Sequence, residues 1–415
     1  MKLIQSTGLS CLVILAFSCG RPSVSSSDYL VIDVATAMSQ QTTLKASEYF
    51  SEIRYIPLET SDTCLIGRNP RIHFAGENIL ITSSTGSYSQ AMLFDATGQF
   101  IRNIGYRGND PEGYSDVRCF VDDSRELIYF EGFGSNLVCY DFKGKFVGII
   151  PTHEPVSAGT TFYFLNRDTL IGYLSNPLSG NVFDGITIFN SSGKIDSIPS
   201  NYPELPPLEV VSASVFFSAD NYGPVVYEGI ASFRGRETGA VLMMGANVFW
   251  HQDRETYFKE PFNDTIYVIQ QNAKIPCLIL ELREYHWDAV DRMRMDKNKG
   301  IYFTQFFENK NILFFRFLTD VFNFQNMKSY NAIYNKSSGN IKIAPFDEGI
   351  IDDLIHFLPL QPRAVSSSGI YAGLLNPVDI LEWFEKQGNN VTIPDEIQKL
   401  KQLDEEDNPV VVLMK

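Results

Sequence analysis

The stretch LFDATGQFIRNIGYRGNDPEGY (93–114) sets Gly98, Gly105, Gly108 and Gly113 around an apolar run, a density that could cradle a phosphate. Phosphate loops hold their glycines between a strand and a helix, so that backbone amides at the helix start face the anion. Here the glycines lead through SDVRCFVD into another strand-like pattern, and no Walker-type Lys-Ser/Thr pair follows. The stretch is read as a turn between sheets. Hydrolase chemistry is no better supplied. There is no G-x-S-x-G elbow and no H-E-x-x-H, and His73, His153, His251, His286 and His356 are scattered. The cysteines lack zinc spacing. No catalytic residue, metal ligand or cofactor is assigned. Asp116, Asp122, Asp123 and Glu131 are the carboxylates that could hold a divalent cation, but acids at strand edges are usually solvated.

Composition limits the partners. Of 415 residues, 44% are hydrophobic and 20% charged, which suits a buried globular core rather than a disordered chain. With 31 Phe and 20 Tyr, the bias is toward strands. A formal net charge of −15 repels phosphate backbones and anionic headgroups, which argues against nucleic acid as a partner. At the N-terminus, MKLIQSTGLSCLVILAFSCG has Lys2, a short apolar core from Leu9 to Phe17, then Cys19. That core is too short to span a membrane, for which about 20 apolar residues are needed. The expectation is a lipoprotein signal peptide over 1–18, acylation at Cys19, a flexible tether over 19–28, and one domain over 29–415.

The elements that must position any site repeat. LFDATGQFIRNIG (93–105) is echoed by CYDFKGKFVGIIP (139–151), IFNSSGKIDSIPS (188–200) and IYNKSSGNIKIAP (333–345), each a strand, a Gly-bearing polar turn and a strand. Gly98, Gly144 and Gly193 fall 46 and 49 residues apart, the period of a four-stranded propeller blade. Two further apolar runs precede each hairpin, as VRCFVD and ELIYFE precede NLVCYD and KFVGII. The fold class expected is an all-β six-bladed β-propeller, with seven blades possible, built of four-stranded antiparallel blades. Later units are less regular. The 80 residues between Gly193 and Ala273 leave room for insertions or for a further blade, and IHFLPL with GIYAGLL outlines a sixth blade. NPVDILEWFEKQ and TIPDEIQKLKQLDEE read as short helices, and NPVVVLMK as a terminal strand placed to close the ring. Cys119 and Cys139 would lie on the first and third strands of one blade, about 10 Å apart and beyond bridging distance, so the cysteines are expected as free thiols.

Four segments, EIRYIPLETSDTCLIG (52–67), LFDATGQFIRNIGYRGNDPEGY (93–114), FNDTIYVI (262–269) and DNPVVVLMK (407–415), stand in an order that resembles six-bladed β-propeller lipoproteins of anaerobic gut bacteria. That resemblance implies fold and location rather than a reaction. The loop RGNDPEGY departs from the G-x-G-P-G-E-Y usual in that family.

Inner strands of a propeller line its channel. The residues placed there are Arg71 and His73, Asp116 and Arg118, and Tyr163, with Trp250 beside His251 as an exposed aromatic platform. Arg71, His73, Arg118, Tyr163 and Trp250 form the candidate ligand-binding set, and cations in so acidic a chain favour an anionic ligand. The competing reading pairs Arg118 with Asp116 or Asp122 and leaves it a structural role. The function expected is a monomeric, non-catalytic recognition scaffold of the cell envelope, lipid-anchored to the outer membrane and binding a protein, peptide or glycan. Its rival is a lactonase-like metal-dependent hydrolase or lyase with its site in the channel.

Overall fold

Short β-branched and aromatic runs, broken by turns rich in Gly, Asp and Asn, give the chain a mostly β structure. The computed structural model describes residues 29–415, apart from 68, 86–87, 153–159, 175–184, 221–222, 244–246, 271, 298–299, 324 and 388–392. The signal segment, Cys19, the tether and His153 lie outside the described residues.

Six four-stranded antiparallel arrays account for most of the structure. The first holds Arg71–Ala75, Asn78–Thr85, Tyr88–Phe94 and Phe100–Asn103, and the second Asp116–Asp122, Leu127–Glu131, Asn136–Asp141 and Phe146–Pro151. Thr160–Asn166, Thr169–Leu174, Ile186–Asn190 and Gly193–Ile198 form the third. In the fourth, Phe249–Gln252, Glu255–Lys259, Thr265–Gln270 and Ala273–Glu281 are joined by Leu30–Asp33, which pairs in parallel with the last of them. The fifth holds Tyr302–Glu308, Ile312–Thr319, Lys328–Asn335 and Asn340–Pro345. The sixth is built from both ends of the chain: Ala364–Val365, Tyr371–Leu375 and Val410–Met414, with Ile53–Pro57 antiparallel to the last.

The first strand of each of the first five sheets, and Ala364–Val365 of the sixth, will be called inner strands. They contact one another in chain order, and the sixth meets the first. The apolar cores follow the same order. Leu80 and Leu93 of the first sheet pack with Ile128 and Phe130 of the second, whose Tyr129 and Leu137 pack with Phe162 and Phe189 of the third. Ile171 and Ile188 meet Phe249 and Phe258, and Ile266 meets Phe306 and Phe315. Phe314 and Ile333 meet Tyr371 and Val412, and Leu374 and Val411 meet Ile72 and Ile81. Sheets buried on both faces require continuous apolar strands, and every residue of Ile312–Thr319 is buried.

The repeated hairpins have a local cause. Asp95 Oδ1 accepts hydrogen bonds from the amides of Thr97 (2.8 Å) and Gln99 (3.1 Å), and Asp141 Oδ1 from those of Lys143 (2.9 Å) and Lys145 (2.8 Å). Asn190 and Asn335 make the same turn with Ser192 and with Ser337 and Ser338. Each such turn ends on a glycine in the left-handed region: Gly98 at φ +87°, Gly144 at +75°, Gly193 at +135° and Gly339 at +70°.

The long gap after the third sheet holds additional structure, as its length allows: a separate three-stranded sheet, Ser212–Asp220, Gly223–Arg234 and Gly239–Met243. Two features differ from the sequence reading. IHFLPL forms no strand; within it only Leu360 makes a bridge, to Ile350, and the sixth sheet begins at Ala364. A short helix, Val34–Ser39, precedes the first sheet, in addition to Pro377–Gln387 and Asp395–Lys399 near the C-terminus. Cys64, Cys119, Cys139 and Cys277 are free thiols.

Candidate functional site

The six inner strands surround a cavity of about 1150 Å³, lined by residues of every one of them or of their adjoining turns. Because side chains alternate along a strand, Arg71 and His73 point the same way from the first inner strand. The structure brings all five sequence-predicted residues, Arg71, His73, Arg118, Tyr163 and Trp250, to this one space.

Their environments differ. Burial drives the His73 imidazole down to about 4, helped by the Arg71 guanidinium, and its Nε2 is enclosed without a hydrogen-bond partner. His73 is therefore neutral at physiological pH. Arg118 donates through Nη2 to Glu131 Oε2, with Asp116 Oδ1 3.6 Å from its Nε. Burial pushes the Glu131 carboxyl up to about 8 despite the neighbouring guanidinium. Tyr163 stacks on Phe164 (4.7 Å between centroids, 21°) and lies 5.9 Å from Phe120, forming an aromatic shelf at the wall.

Two expectations are corrected. Trp250 is no exposed platform: only 3% accessible, it stacks on Phe306 (4.8 Å) and Tyr257 (5.6 Å), and its Nε1 donates to Glu308 Oε2 at 2.5 Å. Nor are all the candidate carboxylates solvated. Asp122 is fully buried and Glu131 6% accessible. Asp122 accepts from Ser124 and from Arg125 Nε (2.6 Å), so it holds its own turn; Arg118 is paired with Asp116, as the structural reading allowed, and with Glu131, but not with Asp122. Asp123 accepts from the Gly76 amide (2.9 Å), linking the first two sheets. Among the described residues no three His, Cys, Asp or Glu side chains come together as metal ligands would.

Three lining arginines escaped the sequence reading: Arg167, Arg254 and Arg363. Arg254 had a local signal. Asp253 and Arg254 both have positive φ (49° and 70°) and join the paired residues Gln252 and Glu255, the geometry of a two-residue hairpin turn at an inner-strand end. Arg363 immediately precedes the two-residue inner strand of the sixth sheet, and burial lowers its guanidinium to about 10. The RGNDPEGY loop is closed on itself: Asp110 Oδ1 accepts from Tyr106 Oη (2.7 Å) and the amides of Glu112 (3.0 Å) and Gly113 (3.2 Å). It carries the chain from the outer strand of the first sheet to the inner strand of the second, as a corner.

Fold and site together define a mostly β protein whose four-stranded sheets present their inner strands to a shared, arginine-rich cavity. The chain belongs to the family described as Domain of unknown function (DUF4934), whose model matches residues 29–415. No curated protein matches it. Among solved structures it is similar to a Bacteroides fragilis NCTC 9343 protein assigned to export, at 16% identity and a TM-score of 0.59 over 94% of this chain and 99% of that one. At that identity the likeness is one of fold. A member of the duf4221 family from Bacteroides vulgatus ATCC 8482 matches at 12% identity and a TM-score of 0.40, over 88% of this chain and 96% of that one. No helix among the described residues is long and apolar enough to cross a membrane.

Proposed function

We propose that the six sheets are the blades of a six-bladed β-propeller, and that the molecule is a non-catalytic recognition scaffold of the cell envelope, anchored in the outer membrane by a lipid on Cys19. It takes a protein, peptide or glycan into the cavity between its inner strands. One observation carries this reading: all six inner strands or their turns line a single space large enough for a ligand, and the chemistry there is cationic and aromatic rather than ligating. The order of inter-sheet contacts, with the sixth returning to the first, supports the ring. The carboxylates a channel metal would need are engaged elsewhere, Asp122 in its turn, Glu131 with Arg118 and Asp123 on a backbone amide, which weighs against a lactonase-like hydrolase. Export and anchoring rest on the signal segment and Cys19.

Two measurements test the reading. Metabolic labelling with a fatty-acid analogue should mark the wild-type chain and fail to mark Cys19→Ala. Affinity capture from solubilised envelopes should retain a component through the wild type and lose it with Arg254→Gln, at unchanged melting temperature. Divalent-cation-dependent turnover of lactones, abolished by a chelator, would overturn the scaffold assignment.

A further inference from the structure

Resting on the recognition reading, we infer that the cavity ligand is a carboxylate-bearing saccharide. The charge of the cavity is opposite to that of the chain. Net charge is −15 overall, yet the lining holds five arginines, Arg71, Arg118, Arg167, Arg254 and Arg363, and no lysine, against three carboxylates, Asp123, Glu131 and Asp253. Burial raises the Glu131 pKa to about 8, so its negative charge is weakened near neutral pH. A chain whose surface otherwise repels anions thus focuses a positive field on one interior space. That all five cations are arginine narrows the chemistry, because the planar fork matches a carboxylate with two parallel hydrogen bonds, which an ammonium cannot do.

The arginines are not bunched. Arg71 and Arg118 stand at or near the starts of adjacent inner strands and both act on the Glu131 carboxyl. Arg363 precedes the neighbouring inner strand of the sixth sheet. Arg167 and Arg254 stand just past the ends of the third and fourth inner strands. The half-buried Tyr163, packed on the buried rings of Phe164 and Phe120, adds some aromatic surface to the same lining. The remaining polar wall is neutral: Thr161, Asn166, Asn247, Gln252 and Ser367 offer amides and hydroxyls, the donors and acceptors that sugar hydroxyls require.

Isothermal titration of the full chain in detergent decides the matter, with trigalacturonic acid and sialyllactose set against maltotriose, lactose and a triglutamate peptide. At least one acidic sugar should bind about tenfold or more tightly than its neutral counterpart, and weaken with added salt. Arg71→Gln should weaken that binding about tenfold; Arg254→Gln, on an exposed turn, should do the same without touching the core, so a folding defect in the first variant leaves the second decisive. Equal binding of neutral and acidic sugars overturns the inference, as does binding of neither acidic sugar. Binding of triglutamate alone overturns the saccharide assignment while leaving the recognition reading intact; that reading falls if envelope capture is insensitive to Arg254→Gln or if cation-dependent lactone turnover is found.

Discussion

Trp250 shows how far a residue's role depends on what lies across a sheet boundary. Its neighbours in sequence, Phe249 and His251, gave no sign that an acid 58 residues away would accept from its indole, so a residue read as exposed is buried between sheets. Glu308 is held from its other side by Lys336 at 2.5 Å. Trp250→Phe keeps the stack on Phe306 but removes the donor; urea unfolding should show a loss of about 1–3 kcal/mol. Glu308 keeps Lys336 as a partner after that change, so adding Glu308→Gln, which removes the Lys336 ion pair as well, should deepen the loss rather than recover it. His73 gives a pH signature. Its folded pKa near 4 lies below the roughly 6.5 of an exposed imidazole, so between these values the unfolded chain binds the extra proton. Its contribution is present above about 6.5 and is lost as pH falls toward 4, by about 1–3 kcal/mol. Glu131, raised to about 8, acts with the opposite sign between about 4.5 and 8, its contribution lost as pH rises. The measurement is therefore the difference between wild type and His73→Gln in melts from pH 4 to 7, which should narrow toward acid.

At the scale of elements, the hairpins were the legible part of the sequence because their cause is local. An Asp or Asn that satisfies the amide two residues on, followed by a glycine with positive φ, needs no tertiary partner to be recognised. Strands decided by distant partners were not legible. Leu30–Asp33 becomes a fifth strand only because Leu278–Glu281 lies beside it, and IHFLPL fails to become one although its composition allows it. The cavity arginines divide likewise: Arg71 and Arg118 were found on regular strands, while Arg363, before a two-residue strand, was missed. The glycines also separate backbone cost from packing cost. A Cβ on Gly339 would approach nothing nearer than the Tyr334 hydroxyl at 4.0 Å, whereas on Gly98 it would stand 2.2 Å from the Pro57 carbonyl of the sixth sheet. Gly339→Ala should cost about 1–2 kcal/mol of left-handed backbone strain. Gly98→Ala should cost more, because the first and sixth sheets must also move apart; denaturation of the pair gives the order directly.

Across the whole molecule, the sixth sheet joins what the sequence separates most widely. Lys415 donates its amide to the Glu52 carbonyl (3.0 Å) and accepts from the Ser51 amide (2.7 Å). Asn408 fastens the same seam: its Nδ2 donates to the carbonyls of Glu59 (2.6 Å) and Cys64 (2.7 Å), and its Oδ1 accepts from the Ile66 amide (2.8 Å). Asn408→Ala would remove all three bonds and leave the Cys64 carbonyl and Ile66 amide without this partner, and an unfolding midpoint lowered by the equivalent of about 2–4 kcal/mol is expected. Removing residues 410–415 takes away the strand between Tyr371–Leu375 and Ile53–Pro57, and limited proteolysis should then cut the whole domain rather than trim one end. The seam also sets a timetable. Ile53 pairs with Met414, so the sixth sheet cannot close until Val410–Met414 has been synthesised. Until then Ile53–Pro57 lacks its only neighbour in that sheet, so this seam closes late and Val410–Met414 is its fastener.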